Sequence, residues 1–106
     1  MRYPYQIESY EAYKIAYQKS IENPSAFWGD IAENFTWHKK WDEVLNWNFT
    51  EPKIEWFKGG KLNITENCLD RHLEEQGDMP ALIWEPNDPE EHHRIITYAM
   101  NPSYKI

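Results

Sequence analysis

Cysteine is almost missing from this chain: Cys68 is the single one among 106 residues. No intramolecular disulfide can form, and a cysteine-built zinc site lacks its ligands. That usage fits a reducing compartment, and the cytoplasm is the expected location. Long apolar runs are absent as well. Met1-Arg2-Tyr3-Pro4-Tyr5-Gln6 has none of the apolar stretch of a signal peptide. Nothing later approaches the roughly 20 apolar residues of a membrane span. Positive charge is in deficit, with 11 Lys and Arg against 18 Asp and Glu, a formal charge of −7. A nucleic-acid partner is therefore not expected, because such footprints are basic. Docking on an anionic membrane is disfavoured for the same reason.

What is plentiful is aromatic surface. Six Trp, seven Tyr and four Phe make up 16% of the chain, a large supply of bulky core material that argues against disorder. A mean hydropathy of −0.89 makes the remaining surface very polar. Three Asn-x-Ser/Thr triplets begin at Asn34, Asn48 and Asn63. Without a leader peptide they read as chance in an Asn-rich chain.

The periodicity predicts helices first. Ser9 is a good N-cap for a helix carrying Tyr10, Tyr13, Tyr17 and Ile21 on one face. Asn23-Pro24 ends it, since a residue before proline avoids the helical region, and Pro24 then suits the first turn of a second helix capped by Asn23. Phe27, Trp28, Ile31 and Phe35 form that helix's apolar stripe. Trp37, Trp41, Val44 and Leu45 predict a third short helix capped by Thr36. These rings and aliphatic side chains are expected to pack together as a core rather than to form a ligand platform.

From Thr50 the pattern changes. Ile54-Glu55-Trp56-Phe57 is short and strand-like, and Gly59-Gly60 reads as a turn. Thr65 to Leu73 predicts a helix capped by Thr65 and stopped by Gly77. Ala81–Trp84 and Arg94–Tyr98 predict two strands, joined by a solvated loop, Glu85 to His93, rich in Pro, Asn and acidic residues. Pro102 forbids a regular helix through the last residues. The fold class is α+β: N-terminal helices, then a short helix and a small β-hairpin-like unit.

Candidate chemistry is thin. Gly59-Gly60-Lys61 suggests a phosphate loop, but the early glycine position holds Glu55 and the Ser/Thr position holds Leu62. Cys68 and His72 share a helical face at i and i+4, yet two ligands are too few for a metal, and His38, His92 and His93 lie on other segments. Asp70-Arg71-His72 has no nucleophile placed beside it and favours a structural role. Glu90-Glu91-His92-His93 reads as a solvated charge run. No catalytic, cofactor-binding or metal residue is expected in this chain.

Three segments carry a resemblance. Ser20 to Trp28, with its Pro-x-Ala-Phe-Trp ending, is similar to the first signature of the AMP-forming acetyl-CoA synthetases. Trp37 to Val44 resembles the tryptophan pair that follows in that family. Trp56-Phe57-Lys58-Gly59-Gly60-Lys61-Leu62-Asn63, continued by Asn67 to Leu73, resembles the most recognisable stretch of the family's N-terminal region. Ala81 to Glu85 and Ile96 to Tyr98 fall where the family has its first strands. Propionyl-CoA synthetases share much of this pattern and acetoacetyl-CoA synthetases less.

The resemblance implies an incomplete piece of a larger adenylating-enzyme domain, with residues 1–98 the acetyl-CoA synthetase N-terminal domain and 99–106 a divergent or truncated tail. The family's enzyme joins acetate to ATP as acetyl-adenylate and passes the acetyl group to coenzyme A. ATP, magnesium and coenzyme A are thus implied for the full-length enzyme and none for this segment. The family's phosphate loop and catalytic lysine lie downstream, so neither Lys61 nor Lys105 stands in for that lysine. The implied partner is the remainder of the adenylating domain. Two strands alone are marginal in water, so exposed apolar area is expected near Ala81–Trp84 and Ile95–Tyr98, with self-association as another way to cover it. A rival reading is a stand-alone interaction or regulatory module that reuses this fold. A sugar-binding module with stacking tryptophans is a more distant one.

Overall fold

A computed structural model describes residues 5–100. The chain divides into two compact units, Met1–Asn63 and Ile64–Ile106.

In the first unit, helix α1 (Tyr10–Glu22) starts where expected: Ser9 is extended, and its hydroxyl accepts the Ala12 amide at 3.1 Å. Asn23 serves two helices at once. Its amide donates to Lys19 O at 3.0 Å, closing α1, and its Oδ1 accepts the Ala26 amide at 3.1 Å, opening α2 (Pro24–Ala32) with Pro24 in the first turn. Proline costs nothing there, because an amide in that position has no intrahelical partner.

The third helix predicted from Trp37, Trp41, Val44 and Leu45 does not form. Glu43–Asn48 is strand β1, paired antiparallel with β2 (Lys53–Lys58) in the register Glu43↔Lys58, Leu45↔Trp56, Trp47↔Ile54 and Asn48↔Lys53. Four apolar positions in nine residues fit a helical stripe, but the same window satisfies a strand once Ile54-Glu55-Trp56 supplies a partner. Asn48 fixes the hairpin turn, its Oδ1 accepting the amides of Thr50 at 2.9 Å and Glu51 at 3.3 Å. That is the Asx-turn habit of asparagine.

Behind β2 the chain closes on itself. Lys39 and Lys61 exchange both backbone hydrogen bonds, at 3.1 and 2.9 Å, and the Asp42 amide donates to Lys58 O at 2.8 Å. Trp37, Trp41 and Phe57 form a triangle with ring centroids 4.9, 5.5 and 5.4 Å apart. The Trp37 indole N–H also donates to Ala32 O at 2.8 Å, tying the end of α2 to this cluster. Gly59 takes a φ of +76°, and Gly60 lies under the Trp37 ring, where a Cβ would stand 2.7 Å from Cζ3. The glycine turn is thus a requirement of both dihedral and space.

In the second unit, the helix predicted over 65–73 is broken. Helix α3 (Ile64–Cys68) stops at Leu69, whose φ of −123° and ψ of −62° leave the helical well; a 3-10 turn (Asp70–His72) and one turn of helix α4 (Leu73–Gln76) follow. Asn67, Cys68, Asp70 and His72 are all weak helix formers, and no apolar stripe holds the segment straight. Thr65 lies inside α3 rather than capping it, its carbonyl accepting the Leu69 amide at 2.8 Å. Gly77 does end α4, in an ordinary right-handed conformation.

Strands β3 (Pro80–Trp84) and β4 (Arg94–Thr97) pair antiparallel as Pro80↔Thr97, Leu82↔Ile96, Ile83↔Ile95 and Trp84↔Arg94, with an irregularity between Pro80 and Leu82. The α+β class and this strand pair agree with expectation. Most of the expected tail, residues 101–106 with Pro102 and Lys105, lies outside the described residues.

The expected core does not close. Among the described residues only Ala32 and Asn67 are buried, and α1 buries none of its side chains. Tyr10, Tyr13 and Tyr17 are exposed and stack on one another, 6.2 and 6.0 Å between centroids. No helix among the described residues is long and apolar enough to cross a membrane.

Replacing Gly60 by Ala forces a methyl group against Trp37 and should lower the unfolding free energy by about 1–3 kcal/mol. Urea denaturation followed by tryptophan fluorescence checks this; an unchanged midpoint would show that the cluster yields without loss.

Candidate functional site

The chemistry-bearing segments can be followed one by one. The amides of Gly60 and Lys61 are already committed, to Phe57 O at 3.0 Å and Lys39 O at 2.9 Å. A phosphate cradle needs such amides free and pointing together. The Gly59-Gly60-Lys61 turn therefore closes the aromatic cluster and offers no anion site through those two amides.

Cys68 and His72 are not on one helical face, because the helix breaks between them at Leu69. Cys68 is exposed, and the His72 ring lies 5.5 Å from that of Tyr98. Among the described residues no group of three or more His, Cys, Asp or Glu is placed to hold a metal ion. Asp70, Arg71 and His72 occupy the 3-10 turn in sequence, and each is half-buried.

The loop 85–93 is solvated, as expected. Asp88 Oδ1 accepts the Glu90 amide at 2.9 Å, and Glu91 stands 3.9 Å from Arg94 in an exposed pair. Such a surface pair contributes little to stability. A shallow groove of about 320 Å³ runs along the α1–α2 junction, lined by Lys19, Glu22, Asn23, Ala26, Phe27 and Asp30. Two of its polar groups are engaged: Glu22 accepts from Gln18 at 2.7 Å, and Asn23 caps α2.

The described residues also present a large amount of apolar surface. Leu82, Ile83, Trp84 and Ile95 of the β3–β4 pair are exposed, as the two-strand argument predicted. Ile96, Thr97 and Tyr98 are half-buried. A second surface was not legible in the sequence. Trp28, Trp47, Phe49, Ile54 and Trp56 are all exposed on and beside the β1–β2 hairpin. Of the tryptophans assigned to packed stripes, Trp37 and Trp41 are half-buried as expected, whereas Trp28 is exposed. The signal that finds the second surface is the alternation Leu45-x-Trp47 against Ile54-x-Trp56, readable only once those segments are taken as partners.

Fold and surface together define a class: a small α+β segment of helices and antiparallel strand pairs whose apolar faces turn outward. Comparison with known proteins narrows that class. A model of the acetyl-coenzyme A synthetase N-terminus matches residues 13–68. This chain belongs to that family. It is 48% identical over 91 residues to an acetyl-coenzyme A synthetase of Leptospira biflexa, covering 85% of this chain and 14% of the relative. The corresponding enzyme of Bdellovibrio bacteriovorus is 47% identical over 87 residues, 81% of this chain and 14% of the relative. That of Magnetococcus marinus is 47% identical over 89 residues, 83% and 14%. The chain thus spans about 14% of the length of these curated relatives.

Because Cys68 is exposed, one equivalent of thiol should react with a disulfide reagent in the native chain at a rate that urea raises only slightly. A large acceleration in urea would mean that the α3 end is covered in solution.

Proposed function

We propose that this chain is the N-terminal segment of an acetate–CoA ligase and that its own contribution is structural. In the whole enzyme, acetate oxygen attacks the α-phosphorus of ATP, giving acetyl-adenylate and releasing pyrophosphate. The thiol of coenzyme A then takes the acetyl group and releases AMP. ATP, magnesium and coenzyme A belong to that larger protein, and no residue of this segment is assigned to them. Residues 1–98 form the N-terminal domain on this reading and 99–106 the divergent tail. The cytoplasm is the proposed compartment.

The observation that carries the proposal is the alignment itself: 48% identity running through 85% of this chain and only 14% of the relative. The outward apolar faces support it physically. A segment whose described residues bury fully only Ala32 and Asn67 needs a further surface to hold its shape. In the ligase that surface is the remainder of the adenylating domain, which the segment covers and braces. Self-association of the isolated chain is the alternative way to hide the same area.

Acetate-dependent ATP–pyrophosphate exchange tests the reading. The 106 residues alone should show none, and a longer polypeptide carrying them ahead of the downstream ligase sequence should exchange. Exchange by the short chain would overturn the structural role. An inactive, folded longer chain would overturn the ligase assignment.

A further inference from the structure

We propose that one face of the β1–β2 hairpin is where the downstream body of the ligase docks, an assignment that rests on the reading just given. Leu45 stands directly opposite Trp56, and Trp47 opposite Ile54. Residues two apart along a strand share a face, so these four side chains project from the same side of the hairpin. Trp47 is 54% exposed, Ile54 57% and Trp56 47%. Contacts at both ends extend the strip: the Trp28 ring lies 6.4 Å from Trp56, and Phe49 lies 4.7 Å from Trp47. None of these side chains ionises. On the other face Asn46, Asn48, Lys53 and Glu55 lie towards the turn, with Lys53 3.4 Å from Glu55, and Val44 stands beside Gly29. Towards the turn the hairpin is thus polar on one side and apolar on the other, and the Glu43↔Lys58 pair bounds the apolar strip, so its partner is an apolar surface with a polar margin.

Size decides between a second copy and the enzyme's own body. At ~150–250 Å² for each aromatic side chain, four rings about half exposed, with Ile54, present on the order of 500 Å². A stable complex of independent proteins buries about 800 Å² on each partner, so the strip is too small for a firm dimer. It falls within the roughly 300–750 Å² per side of interfaces between domains of one chain. Covalent linkage raises the effective concentration to about the millimolar range, so a modest patch is then enough.

The test uses a chimaeric ligase in which this chain replaces the matching segment of the Leptospira biflexa relative. Trp47→Thr with Ile54→Thr removes the apolar face while keeping strand preference. The double variant should shorten the thermal half-life of acetate-dependent exchange roughly tenfold. Trp47→Phe should restore it when Ile54 is kept. The same double substitution in the 106-residue chain should leave its far-ultraviolet circular dichroism unchanged. Should that spectrum collapse, Phe49→Asn, in the turn and 71% exposed, carries the same expectation for the chimaera. An unaltered half-life in an active chimaera would overturn the docking face and leave the ligase reading standing. An inactive unsubstituted chimaera would overturn both. A dimer of the short chain in sedimentation, dissolved by the double variant, would make the occupant a second copy and overturn the assignment.

Discussion

Everything in the first unit hangs on the contact between the Trp37 ring and Gly60. With no side chain at 60, the indole settles on the backbone and brings Trp41 and Phe57 to within 5.5 Å of itself. Its N–H then reaches Ala32 O, so the same residue joins the helical pair to the hairpin. Phe57 is held at a φ of +48°, a region that costs a bulky L-residue on the order of 1–2 kcal/mol. Aromatic pairs contribute about 0.5–1.5 kcal/mol each beyond their burial, so the three rings offset that strain. The Lys39–Lys61 backbone bridge sits beside the cluster, and the Lys39 ammonium lies 3.7 Å from the Asp42 carboxylate. Outside the cluster, α2 and the hairpin also meet where Val44 approaches Gly29 and where the edge of Trp28 meets Trp56.

Local chemistry made some of this legible. Ser9 and Asn23-Pro24 act through hydrogen bonds within three or four residues, so their meaning does not depend on distant neighbours, and both helix boundaries follow from them. Strands at Ala81–Trp84 and Arg94–Tyr98 were readable because a loop rich in turn residues separates two apolar runs, the second ending one residue earlier, at Thr97. The segment 37–48 was not, since an eight- or nine-residue window with four apolar positions satisfies helical spacing and strand pairing alike. Only the identity of the partner, 53–58, breaks the tie, and pairing is non-local information. The break at Leu69 has a similar cause: weak formers in the stretch Asn67 to His72 lower the helix's stability, but composition does not say at which bond it gives way.

The larger misreading concerned what an apolar stripe means. Tyr10, Tyr13 and Tyr17 recur at helical spacing, and the inference from spacing to an internal core assumes that the covering surface belongs to the same compact body. Here the rings stack on one another along an exposed helix face. Periodicity identifies a face that gains by leaving water; it is silent on what removes the water. The hairpin strip and the β3–β4 pair make the same point in the other secondary structure. The reacting groups are a separate matter, since the resemblance implies that they lie downstream and names no site residue in this segment.

A segment built this way has a definite energetic consequence. Two units, each without a closed core, retain little hydrophobic stabilisation of their own, while ordering each residue costs about 1–2 kcal/mol of backbone entropy. Local devices such as the Asn23 cap and the Asn48 turn contribute about 1 kcal/mol apiece and reduce that deficit without closing it. The missing term is burial against another surface, and the relatives carry about six times this length in one polypeptide. Tethering removes most of the association cost, so faces too small to bind in trans become sufficient in cis. On the proposed reading, the exposed aromatics are therefore the part of the core that this segment contributes, with the other half supplied by the chain that follows.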